Sequence, residues 1–148
     1  MRDLTDLTNK PEIVIGFTDF SRLEVLASSV EKRLPETAET LLFELGRARL
    51  VEDSALPVHV VRMESIVSFK MDSSSENTVQ LVYPGNADIS KNRISILTPI
   101  GAALIGLAVG QSIHWCANDG ERRLLTILSV REPSTGMLGA SNQSSGTE

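Results

Sequence analysis

The chain has 148 residues and a mass of 16.1 kDa, room for one domain with at most a small appendage, and is 41% hydrophobic against 22% charged, the balance of a folded protein. A single cysteine excludes an internal disulfide and with it a stapled secreted scaffold. A formal charge of −5 argues against a protein that coats nucleic acid, because phosphate binding needs clustered Lys and Arg.

Met1–Lys10 is polar and mixed in sign, not cationic and then apolar, so a cytoplasmic location is expected. Glu12–Phe17 (EIVIGF) is a short apolar run that reads as a strand or an extended lead-in. Thr18 or Asp19 is then placed to cap a helix. Phe20, Leu23, Leu26, Val30 and Leu34 follow at helical steps and predict one buried face. Pro35 ends that helix and suits the first position of the next. A second stripe, Ala38, Leu41, Leu42, Leu45 and Ala48, completes a coiled-coil-like antiparallel hairpin. At 1.5 Å per residue, about 15 residues in each helix give an arm of roughly 22 Å.

Residues 1–56 carry 11 acidic and 7 basic side chains, and residues 57–148 carry 8 and 7. Acidity is thus concentrated in the arm, and the pattern switches from helical to strand period at Pro57. Val58–Met71 alternates and predicts strand. Asp72–Asn77 (DSSSEN) reads as a turn and Thr78–Tyr83 as its partner strand. Arg93–Leu97 is a further strand. Pro99 then opens a short helix over Ile100–Leu107, which Gly110 is expected to close. Ser112–Ala117 and Arg123–Arg131 alternate around Asn118–Gly120, a strong hairpin signal. Residues 133–148 are rich in Ser and Gly and are expected to be a disordered tail.

The longest apolar run, Ile94–Val109, is broken by Pro99, Gly101 and Gly106 and falls short of the ~20 residues a membrane helix needs. No membrane association is expected. The fold class is α+β: a helical hairpin (1–56) followed by β-β-β-α-β-β, a mostly antiparallel sheet with one helix on a face (57–132).

Catalytic and metal chemistry finds little footing. His59 and His114 are 55 residues apart and neither has ligand-spaced neighbours, so no zinc site and no cofactor are expected. Cys116 with His114 lacks a third orienting group and reads as a small residue of an alternating strand. The glycines at 101, 106 and 110 are followed by no Lys-Ser/Thr and fit close packing and a turn. At the hairpin tip stand Glu31, Lys32, Arg33, Glu36 and Glu39. Glu36 and Glu39 form a carboxylate pair on one face, suited to a divalent cation, but both lie in a first helical turn where acids favour the helix dipole by about 0.3–1 kcal/mol. The dipole role is the preferred reading.

Arg93–Gly110 (RISILTPIGAALIGLAVG) with Gln111–Trp115 (QSIHW) resembles the carboxyl-terminal signature of the GreA/GreB family of transcript-cleavage factors. Leu41–Arg49, Pro57–Phe69, Leu81–Pro84 and Pro99–Trp115 resemble a shorter branch, the regulators of nucleoside diphosphate kinase. This resemblance implies an FKBP-like carboxyl-terminal part and RNA polymerase as partner, docked at the rim of its secondary channel through Leu97, Thr98 and Pro99. The family's Asp or Asn before Ser-Pro is Leu97 here, and its Ser is Thr98. The tip acids Glu31, Glu36 and Glu39 do not reproduce the cleavage factors' metal-holding motif, and the arm is about half as long. The implied function is therefore a polymerase-binding regulator, not an enzyme, that competes with cleavage factors without stimulating cleavage. DNA binding is attached to the family as a whole, and no sequence-specific nucleic-acid contact is implied. Two alternatives stand beside it: direct action on nucleoside diphosphate kinase, and peptidyl-prolyl isomerase activity, for which 4% aromatic residues are too few to line a pocket.

Overall fold

The computed structural model describes residues 10–72, 76–116 and 121–133. The expected Asn118–Gly120 turn and the tail from residue 134 lie outside them. The lead-in is a strand, β1 (Val14–Gly16). Two helices follow, α1 (Phe17–Val30) and α2 (Pro35–Arg47). Pro35 is the first residue of α2 and the chain reverses over the preceding turn, with Leu34 N–H on the Val30 carbonyl at 2.7 Å. The buried faces are Leu23, Ala27 and Val30 on α1, and Ala38, Leu41, Glu44 and Leu45 on α2. Leu34 and Leu42 were expected in these stripes but are exposed, Leu34 in the turn and Leu42 on the outer side of α2. Neither Thr18 nor Asp19 caps α1. The free Thr18 N–H donates instead to Asp53 Oδ1 at 3.1 Å, from 35 residues away.

After α2 the chain forms β2 (Arg49–Val51), which pairs in parallel with β1. Pro57–Ser65 is not the strand its alternation predicts; it contributes one bridge, Val60 to Ala108, and Glu64 sits at φ 76. That backbone turn breaks the ladder, and strand geometry starts at β3 (Ile66–Met71). Next come β4 (Glu76–Val82), β5 (Arg93–Ser95), helix α3 (Pro99–Leu104), β6 (Ser112–Cys116) and β7 (Arg122–Arg131). The sheet order is β5-β4-β3-β7-β6, antiparallel except for the β4–β5 pair. The Ile94–Val109 run thus splits into strand, helix and loop. Among the described residues no helix is long and apolar enough to cross a membrane.

α3 ends earlier than expected, with Gly106 at φ +82 and not at Gly110. A side chain at Gly106 would also meet Ile13 Cβ at 2.8 Å. That closeness lets the segment after α3 stitch the molecule together: Val14 N–H bonds to the Gly106 carbonyl at 3.1 Å and Gly106 N–H to the Val61 carbonyl at 2.9 Å. A single hydrophobic core results, in which Ile13, Ile15, Leu23 and Leu41 pack with Val67, Phe69, Leu81, Leu104 and Ile127. Each such side chain contributes about 1.5–3 kcal/mol on burial. The hairpin is therefore rooted in the same core as the sheet.

Candidate functional site

Ser95 begins the turn that leads into α3. Its hydroxyl accepts the Leu97 N–H at 2.9 Å, and its carbonyl accepts both the Thr98 N–H at 3.1 Å and the Thr98 hydroxyl at 2.7 Å. Thr98 Oγ1 in turn accepts the Gly101 N–H at 3.0 Å, which makes Thr98 the N-cap of α3. Its hydroxyl is thus occupied on both sides by the protein's own backbone. Gly101 is required here, because a Cβ at that position would run into the Ser95 carbonyl and the Ile96 Cα. Pro99 follows as the first residue of α3. The loop is held in one shape, and what it offers outward is the apolar surface of Leu97 and Pro99.

That loop forms one wall of a cleft of about 370 Å³. Ala102 and Ala103 of α3 and Ile113, His114 and Trp115 of β6 continue the wall. The opposite wall is α2, through Glu36, Thr37, Thr40 and Glu44, and Lys10 closes the lining. Residues 36, 40 and 44 share a face because they are one helical turn apart. The sequence-predicted docking residues Leu97, Thr98 and Pro99 are thus brought together with one predicted tip residue, Glu36. Glu31 and Glu39 are exposed and do not line the cleft. The structure therefore gives the Glu36/Glu39 pair two different surroundings. Among the described residues no three His, Cys, Asp or Glu side chains are grouped to hold a metal ion.

Glu44 is the residue that pattern reading passed over. It is 5% exposed yet charged, with Lys10 Nζ at 3.3 Å and Arg47 Nε at 2.9 Å. Arg47 Nη1 also donates to the Pro11 carbonyl at 2.6 Å, and Lys10 Nζ lies 5.4 Å from the Phe43 ring centre. A buried carboxylate needs such partners, since desolvation costs several kcal/mol, roughly, without them. The available signal was its position three residues after Leu41 and three before Arg47, on the apolar stripe itself.

At the base of the hairpin, hydrogen bonding from Thr18, with Arg62 and Arg22 nearby, holds the Asp53 carboxyl below its ordinary 3.8. Burial, with Asp19 close by, pushes the Tyr83 hydroxyl above 10.0. These groups surround the root of α1, away from the cleft lining.

A family model described as "Transcription elongation factor, GreA/GreB, C-term" matches residues 56–132, and one described as "Rnk N-terminus" matches residues 11–51. The chain is 36% identical to the regulator of nucleoside diphosphate kinase of Escherichia coli over 123 residues, covering 82% of this chain and 90% of that one. It is 36% identical over 96 residues to the transcription elongation factor GreA of Rhodospirillum rubrum, covering 64% of this chain and 59% of that one. A solved structure of a prokaryotic GreA/GreB elongation factor from Nitrosomonas europaea has the same fold, with a TM-score of 0.66 and 38% identity over 81% of this chain and 99% of that one. The names of these relatives describe regulators and elongation factors.

Proposed function

This chain belongs to the GreA/GreB family of transcription elongation factors, with an amino-terminal part of the Rnk type, and on that premise we propose that it docks on RNA polymerase at the rim of the secondary channel. The Leu97–Pro99 loop makes the contact, the hairpin enters the channel, and cleavage factors are excluded from the same place without any stimulation of transcript cleavage. The supporting observation is reach. Helices of 14 and 13 residues make an arm of only about 20 Å, and an α-helix does not stretch. The acids at its tip suit a basic channel and would speed docking.

The test uses labelled full-length chain and core RNA polymerase at low salt, with GreA as competitor, followed by a transcript-cleavage assay on stalled complexes. Binding that GreA displaces, with no added cleavage, is expected. Folded protein that does not bind, or that stimulates magnesium-dependent cleavage, overturns the proposal. A second reading rests on the printed name of the Escherichia coli relative: direct contact with nucleoside diphosphate kinase. A pull-down with the kinase beside polymerase separates the two. Both readings place the protein in the cytoplasm.

A further inference from the structure

The arm does not stand clear of the sheet. Residues of α2 lie against α3, and Glu36, in the first turn of α2, lines the same cleft as Leu97 and Pro99. We propose that this cleft is a two-walled docking site, in which the α2 face and the Leu97–Pro99 loop together grip one element of RNA polymerase: an apolar side chain with a Lys or Arg beside it. The inference rests on the polymerase reading above and adds to it that the arm itself is part of the grip.

The chemistry of the two walls selects that occupant. Apart from His114, the loop wall is mainly apolar, with Leu97, Pro99, Ala102, Ile113 and Trp115, and the Thr98 hydroxyl is already spent on Ser95 and Gly101. A cleft of about 370 Å³ with such a lining takes apolar side chains from a partner. On the α2 wall the two carboxylates differ. Glu44 is buried and neutralised by Lys10 and Arg47, whereas Glu36 is exposed and makes no ion pair among the described residues. A carboxylate that has only the positive end of α2 beside it, and no ion-pair partner, favours a partner cation at the cleft and disfavours an anion. Glu39, three residues on, is exposed and off the lining, which makes it an internal control.

The experiment measures the affinity of full-length variants for core RNA polymerase, with thermal unfolding to confirm that each is folded. Thr40→Trp fills the cleft from an exposed helical position, Glu36→Lys reverses the charge, and Glu39→Lys reverses a charge outside the cleft. Wild type is expected to bind, Thr40→Trp and Glu36→Lys to bind at least about tenfold more weakly, and Glu39→Lys to stay within about twofold, with the Glu36 effect fading at high salt. If wild type binds and both cleft variants match it within about twofold, the two-walled site is wrong while the polymerase reading stands. If folded wild type does not bind polymerase, the reading itself fails and takes this inference with it. Loss of kinase binding, in place of polymerase binding, in the same two variants would overturn the choice of occupant.

Discussion

Asp19 Oδ2 accepts the backbone N–H of Met63 at 3.0 Å, across 44 residues of sequence. Met63 is buried, so the bond fastens the first turn of α1 to the irregular segment before β3 and fixes where the hairpin leaves the sheet. Replacing Asp19 with Ala leaves that N–H without a partner and should cost about 1–3 kcal/mol. Asp19→Asn, which keeps an oxygen acceptor, should lose less. Urea unfolding of the two variants checks the order; equal stability of Asp19→Ala and wild type would show that the bond does not hold the root.

Asp53 makes stability depend on acid. Its folded-state value lies below 3.8, first through hydrogen bonding from Thr18. A carboxyl lowered by folding contributes fully above its unfolded value and loses that contribution as pH falls through the folded one. Wild type should therefore exceed Asp53→Asn in stability at about pH 6, and the gap should close as pH drops below 3.8 and through the lowered folded-state value. Denaturation midpoints across that range test it, and a gap that widens in acid would contradict the assignment.

Glu44 is expected to be the most costly acid to remove. Its loss leaves Arg47, 18% exposed, and Lys10, 26% exposed, beside an apolar interface with no counter-charge. Glu44→Ala should cost about 3 kcal/mol, towards the lower end for a broken buried pair because both cations keep some water. Glu44→Leu combined with Arg47→Met should recover much of this. A double-mutant cycle on thermal stability measures the coupling.

Thr98 is a positioning residue of the docking loop. Thr98→Val removes the cap on α3 and should cost about 1 kcal/mol, whereas Thr98→Ser keeps it. On the proposed function, affinity for polymerase should fall with Thr98→Val and return with Thr98→Ser. Pro99→Ala removes apolar surface without touching the cap and should weaken binding with little change in unfolding. If Thr98→Ser, which keeps the hydroxyl, binds as poorly as Thr98→Val, which keeps a methyl, the cap alone does not carry the effect.

Much of this molecule is legible locally. The stripe from Leu23 to Val30, the break at Pro35 and the alternation of β3, β4, β6 and β7 appear in the chain because helix and strand have fixed periods. The GreA/GreB relationship was legible too, since its signature is a contiguous run around Pro99. The first half of the strand predicted over Val58–Met71 failed, and only Ile66–Met71 formed, because alternation says nothing of a positive φ at Glu64. The α1 cap was misplaced for a similar reason: its acceptor, Asp53, is distant in sequence.

The amino-acid sequence by itself determined the element types, the short arm and the family, all properties of neighbouring residues and their spacing. Only the tertiary structure decided that the hairpin shares the core of the sheet, that Glu44 is a buried charge, and that Glu36 faces the loop at Leu97–Pro99 while Glu39 does not. These depend on which helix face meets which wall. That is settled by long-range packing and hydrogen bonds such as Val14 to Gly106, and no local period encodes it.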